Sequence, residues 1–348
     1  MKLISRKKQS YRVSPHFDGY LRHYGRGHRL PVHYEDLLRF SDAITLYDRN
    51  GQDTLWKTVS YDPSERREID EGLLQIYAYL RGDGERSTVQ HLVVDRVDLC
   101  LYGNTRPFRI RISNTLNENF DYFYVKEADA SRLYGLELEH ILSPNRIAFM
   151  VFAETVVEEH IYGIPGDLFL ERYLDSPTSN RVRIAKEFVK FNERCFYRLL
   201  GDMHAANFVV DITMDFEENF YRIRAIDFDQ QSYEGRKKVY LPQFFPQNQI
   251  FVQLALEHLP KESIEQYRNE ERALMRKRVV SSNFRLNRLL TCMKKDILSP
   301  FEHVRLLREE LAEHYQDSSF LECRSMGEVL EMSLKQLRKP SHIIPAAH

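Results

Sequence analysis

Cysteine is scarce. The chain has four in 348 residues, Cys100, Cys195, Cys292 and Cys323, with no Cys-x-x-Cys pair. That excludes a disulfide-dense scaffold and a thiolate zinc site, and it favours a reducing compartment. Cys195 falls on the apolar side of a helical pattern and reads as a small core residue. Long apolar runs are also missing, so nothing approaches the ~20 residues of a membrane-spanning helix. The stretch MKLISRKKQSYRV is basic but lacks the apolar core of a signal peptide. Nor does one sign of charge dominate, because 50 Lys and Arg face 51 Asp and Glu for a net charge of −1. No global basic field is available for nucleic acid. There is no internal repeat, no heptad run, no zinc-spaced histidine group and no nucleophile elbow of the serine hydrolases. These absences predict a cytoplasmic protein with neither a nucleic-acid nor a membrane partner.

What is present is an ordinary globular composition, 43% hydrophobic and 29% charged, in a chain whose length suggests two domains. Residues 1 to about 34 are rich in Arg, His, Tyr and Gly without a clear period, and read as an irregular arm. AITLY and TLWKTVSY flank an Asn50-Gly51 turn, a strong hairpin signal. Asp62-Pro63 opens a helix whose apolar stripe is Ile69, Leu73, Ile76, Tyr77 and Leu80. This hairpin and helix are expected to form an accessory segment within residues 1–86. Three strand-like runs follow, at Leu92 to Tyr102, Phe108 to Ser113 and Tyr122 to Lys126. A helix from about Asp129 to Leu142 comes next, then strands over Arg146 to Glu154 and Thr155 to Tyr162. Gly163 to Asp167 breaks the pattern before a helix over Leu168 to Leu174. Helical periodicity dominates from Leu256 to Leu337, and a proline-containing tail occupies residues 339–348.

The most informative stretch is LLGDMHAANFVV, followed by RAIDFD. Asp202, Asn207 five residues on, and Asp227 after a strand-like run are the groups that phosphoryl transfer uses. One carboxylate positions the acceptor hydroxyl, while an amide oxygen and a second carboxylate hold magnesium on the nucleotide phosphates. VRIAKEFVKFNERCFYRLL reads as a helix, and NFVVDI and YRIRAI as the strands of a hairpin. Asp202 and Asn207 then lie on the loop leaving the helix, with Asp227 at the end of the second strand, so all three can converge on one metal-bound phosphate. The plainer alternative is a polar turn in which Asn207 or Asp227 caps its own backbone.

Leu200-Gly201-Asp202-Met203-His204-Ala205-Ala206-Asn207 resembles the H-G-D-x-H-x-x-N loop of the protein-kinase-like superfamily, in its aminoglycoside phosphotransferase and choline kinase branch. Asp227-Phe228-Asp229 is similar to the D-F-G metal motif of that superfamily. The likeness covers roughly residues 90 to 260 and rests on short motifs. It implies that Lys126, at the end of the third strand, neutralises the nucleotide phosphates and that a Glu on the next helix holds it. Glu137 falls inside the apolar stripe of Ala130, Leu133, Tyr134 and Ile141. Glu139 lies about 200° further round, so Glu137 is the expected partner. The backbone of Glu159, His160 and Ile161 would face adenine. The turn that should cover the phosphates keeps one glycine, Gly103, and is an equally good hairpin turn. His204 is expected to order its loop. Asp229 stands where protein kinases have Gly, and either adds a carboxylate near the metal or forms a turn with Gln230. Gly201 replaces an Arg that reads phosphorylated activation loops in many protein kinases, and no A-P-E segment follows.

The resemblance implies an α+β, two-lobed kinase-like fold. A five-stranded antiparallel small lobe would occupy residues 87–163 and a mostly helical large lobe residues 164–338, behind the N-terminal accessory hairpin and helix. It implies ATP- and magnesium-dependent transfer of a phosphoryl group to a hydroxyl of a small molecule or a protein. Asp202, Lys126 and Glu137 would carry catalysis, with Asn207 and Asp227 on the metal. A nucleotide-binding pseudokinase and an adenylyl transferase on the same scaffold are the alternatives.

Overall fold

In FRIRISN the apolar residues Phe108, Ile110 and Ile112 alternate with Arg109 and Arg111, and the strand they form buries the first set while leaving the arginines half-buried. Patterns of this kind organise the computed structural model, which describes residues 8–48, 50–82, 84, 89–101, 105–215 and 219–338. Gly103 and the tail 339–348 lie outside the described residues.

The chain begins with helices α1 (Pro15–His23) and α2 (Tyr34–Leu37), strands β1 (Asp42–Tyr47) and β2 (Asp53–Ser60), and helix α3 (Pro63–Arg81). Strands β3 (Leu92–Cys100), β4 (Phe108–Asn114) and β5 (Phe120–Glu127) lead to helix α4 (Ala130–Leu142). Then come β6 (Phe149–Phe152), β7 (Thr155–Glu159), β8 (Ile164–Pro165), α5 (Gly166–Arg172) and α6 (Arg181–Arg198). The hairpin β9 (Phe208–Met214) and β10 (Asn219–Ala225) precedes α7 (Gln249–His258) and α8 (Lys261–Ser281). Helices α9 (Asn283–Lys295), α10 (Phe301–Tyr315) and α11 (Met326–Gln336) follow. Contacts divide the chain into two units. One is Arg12–Asp129 with Ile147–His160, and the other holds the described residues of Met1–Tyr11, Ala130–Arg146 and Ile161–His348.

The first unit contains an antiparallel sheet of seven strands in the order β1-β2-β3-β4-β5-β7-β6. The five expected strands are there, β3 to β7, but the hairpin at Asn50-Gly51 extends the same sheet and is no separate accessory. β2 pairs with β3 at Trp56↔Cys100, Lys57↔Leu99 and Thr58↔Asp98. Asp98, fully buried, accepts the Thr58 hydroxyl at 2.8 Å and pairs with Arg96 at 2.9 Å and Arg109 at 2.8 Å. Helix α3 closes one core with the sheet, Ile69, Leu73 and Ile76 packing with Val97, Leu99, Ile110 and Phe123. The supposed irregular arm contains α1, whose N-cap Ser14 accepts from Phe17 N–H and whose first turn begins with Pro15. That cap signal was present in the sequence, hidden by an aromatic- and histidine-rich composition.

In the second unit α4 is buried on all sides, every residue except His140 being shielded. Its charged residues are therefore paired inside the unit, Glu139 with Arg198 of α6 among them. α6 starts at the cap Asn180, whose side chain accepts from Arg183 N–H, and packs against α7, α8, α11 and β10. Cys195 lies within it, fully buried, and burial pushes its thiol up to about 12. β8, β9 and β10 form a separate three-stranded sheet. Among the described residues no helix is long and apolar enough to cross a membrane.

If α3 belongs to the core of the first unit, Leu73→Ala should cost about 3 kcal/mol in chemical denaturation, the range for emptying a fully buried leucine site. A helix merely resting on the surface would lose less than ~0.5 kcal/mol.

Candidate active site

α6 ends where Leu199 turns left-handed at φ 52° and ψ 45°, its N–H donating back to Cys195 O and Phe196 O. The chain then pairs with the segment that follows the second hairpin strand. Ser232 N–H donates to Leu199 O at 2.8 Å, Gly201 N–H to Gln230 O at 3.2 Å, and Gln231 Nε2 to Arg198 O at 2.6 Å. Gly201 suits this approach, since a Cβ there would sit tightly, 3.1 Å from Gln230 O and 3.1 Å from Val239 Cγ1. This clasp joins the loop carrying Asp202 to the loop carrying Asp227.

Asp202 adopts φ 60°, with its N–H bonded to Val239 O at 3.2 Å. Asn207 closes the loop, its amide Nδ2 donating to Asp202 O at 2.8 Å and its N–H to His204 O at 2.8 Å. The amide oxygen of Asn207 thereby faces away from that carbonyl. Ile226 N–H donates to Asn207 O at 3.0 Å, tying the loop to the residue before Asp227. His204 caps the short 3₁₀ turn Ala205–Asn207, its ring nitrogen accepting from Ala206 N–H at 3.3 Å. Burial lowers its pKa, with Asp227 and Asp167 pulling the other way, so it is neutral at pH 7. Its Nε2 is 3.9 Å from Asp202 Oδ1, beyond hydrogen-bond reach.

At the second motif Asp229 N–H donates to Asp227 Oδ1 at 3.0 Å. Arg132 of α4 donates to Asp227 Oδ1 at 3.0 Å and to Asp229 Oδ1 at 2.8 Å. Sequence reading missed Arg132, although the reasoning that a charge inside a buried helix face needs a partner applies to it as well as to Glu137. It also missed Glu234, which is 7% exposed. Burial first, then the charges of Asp227, Glu234 and Asp229, push Asp202 up from 3.8 to about 7. The site is thus a concentration of negative charge that a divalent cation would relieve.

Glu137 faces a cation on another helix. Its carboxylate is clasped by Arg285 of α9, with Nη2 at 2.8 and 2.7 Å from the two oxygens and Nε at 3.1 Å. The one-sided stripe that separates Glu139 from Glu137 in the sequence does not hold. With α4 buried all round, Glu139 is as deeply placed as Glu137 and pairs with Arg198. Lys126, in the first unit, has Glu158 as a partner at 2.8 Å, with side chains 9% and 6% exposed. β5 and β7 put them on one face, because Lys126 opposes Val156 and Glu158 opposes Tyr124. Lys126 belongs to the first unit and Glu137 to the second.

Of the residues expected near adenine, Glu159 uses its N–H on Ala148 O at 3.0 Å and its carboxylate on Ala148 N–H at 2.8 Å. The donor would have to come from His160 or Ile161 instead. His160 is a packed residue, its Nδ1 3.1 Å from the Tyr124 hydroxyl and its ring against Tyr122. Among the described residues no group of three or more His, Cys, Asp or Glu side chains is arranged to hold a metal ion. Asn207 and Asp227 are nonetheless hard oxygen donors of the kind magnesium takes, one or two from protein and the rest from water and phosphate.

Two measurements test this electrostatic picture. Folding favours protonated Asp202, so its contribution to stability is complete below about pH 4 and declines as pH rises, until it is lost above about 7. In metal-free buffer Asp202→Asn should therefore unfold about 4 kcal/mol harder than wild type at pH 8, the difference closing towards pH 4. Glu158→Ala should cost about 3–5 kcal/mol in denaturant unfolding, because it strips a partner from a buried ammonium.

No protein-family model matches this chain, and no curated protein matches it.

Proposed function

We propose that the protein is an ATP- and magnesium-dependent phosphotransferase acting on a hydroxyl of a small molecule or a protein. The observation that supports it best is the clasp, which brings Asp202, Asn207 and Asp227 onto adjoining loops with Asn207's amide fixed by Asp202's own carbonyl. Asp202 would accept or orient the proton of the acceptor hydroxyl. Its carboxyl, raised to about 7 by burial and then by neighbouring charge, lies in the range where a proton acceptor is effective. Asn207 Oδ1 and the Asp227 carboxylate would hold magnesium, which supplies charge neutralisation on the phosphates. Lys126, carried on β5 and with Glu137 as its expected helix partner, would add a positive charge at the phosphates. His160 and Ile161 would offer backbone groups to adenine. Positioning and electrostatics then account for the rate. The four free thiols support placing the protein in a reducing compartment, the cytoplasm.

Purified protein incubated with magnesium, γ- or α-labelled ATP and a hydroxyl-bearing metabolite panel tests the reading. Transfer of γ-label should fall about 10²–10⁴-fold in Asp202→Ala, the range for losing a positioned proton acceptor, and vanish in Asp227→Ala. Transfer of α-label would replace the proposal with adenylyl transfer. A nucleotide-dependent thermal shift without transfer of either label would make the protein a pseudokinase, and no shift at all would end the nucleotide reading.

A further inference from the structure

Arg132 is a buried charge that the phosphotransferase roles leave unused. Its side chain is 3% exposed, and one nitrogen, Nη1, bridges Asp227 Oδ1 at 3.0 Å and Asp229 Oδ1 at 2.8 Å. The two carboxylates differ in access, Asp227 being 34% exposed and Asp229 only 9%. A guanidinium this deep is strongly destabilising without a counter-charge. A guanidinium on a metal-binding carboxylate also opposes a divalent cation there. Two acidic residues around one guanidinium meet both demands. The inner one keeps Arg132 neutralised while the outer one turns to solvent.

We propose that Asp229 is a positioning residue that holds Arg132, and that the Arg132–Asp229 pair sets the cation affinity of Asp227 without either residue ligating the metal. The inference rests on the phosphotransferase reading and extends it. It replaces the idea that Asp229 adds a further metal ligand. Asp229 has little access for that role, and its Oδ1 is already occupied by Arg132.

The two roles for Asp229 separate in a double-mutant cycle read by binding. Free Mn2+ is followed by electron paramagnetic resonance during titration with protein and a non-hydrolysable ATP analogue. Asp229→Asn leaves Arg132 with Asp227 as its remaining carboxylate in the trio, and should weaken Mn2+ binding about tenfold. Arg132→Gln removes the opposing charge and should tighten binding about tenfold. The double variant has no guanidinium left for residue 229 to hold and should bind like Arg132→Gln, about tenfold more tightly than wild type. If Asp229 were a ligand, the double variant would lose that gain and bind no more tightly than wild type, and that result overturns the proposal, as does an Asp229→Asn protein with unchanged affinity. Thermal unfolding in EDTA checks that each protein is folded. Should Arg132→Gln alone not fold, the double variant, with no stranded charge, still gives the deciding comparison. Absence of Mn2+·nucleotide binding by wild-type protein would instead overturn the phosphotransferase reading, an outcome distinct from failure of the cycle.

Discussion

The site depends on one constraint, the backbone pairing of Leu199–Gly201 with Gln230–Ser232. Helix α6 and the β9–β10 hairpin are rigid, but neither dictates where the loops beyond their ends will go. The left-handed residue at Leu199 turns the chain out of the helix, and the absent side chain at Gly201 lets it lie against the carbonyl of Gln230. With those two features in place, Asp202 and Asp227 are fixed with respect to each other. Without them the motif residues would be an acidic loop and an acidic turn with no defined separation. Gly201 therefore has a packing reason that is independent of any family comparison.

Charge burial is the second organising fact, and α4 concentrates it. Arg132, Glu137 and Glu139 are each paired within their own unit, with Asp227 and Asp229, Arg285, and Arg198 respectively. Buried ion pairs add little net stability, because desolvation offsets most of the attraction. Losing one partner is different, since the other is then stranded. Such pairs make a helix intolerant of rotation or sliding. For α4 the three pairs reach three different segments, so its azimuth and its height are both specified. That precision suits a helix whose Arg132 lies against the acidic motif.

How much of this was legible in the sequence follows from range. The elements that rest on local periodicity and caps read well: α3 from Asp62-Pro63 and its stripe, β4 from Phe108, Ile110 and Ile112, and α6 from its amphipathic run. The Asp202, Asn207 and Asp227 loops were legible because helix, turn and hairpin signals bracket them. What failed was information that exists only between segments. Nothing local in TLWKTVSY says that it pairs with β3 and extends the main sheet. Arg285 beside Glu137 and Glu158 beside Lys126 are likewise distant or cross-strand partners that no local signal announces. The amphipathic assumption also misled at α4, because a helix buried on every side has no exposed face for Glu139 to occupy.

The Lys126–Glu158 pair is held within a single sheet. In a scheme where a helix glutamate alone orients the lysine, moving the helix switches the lysine off. Here β7 supplies a carboxylate from the same sheet, fixed in register with β5 by continuous pairing from Phe123 to Glu127. The rotamer of Lys126 therefore has an anchor that need not wait for α4. α4 for its part is bound through Glu137 to Arg285, and swinging it would strand an acid that is fully buried. Lys126 and Glu137 thus each have a charged partner within their own unit.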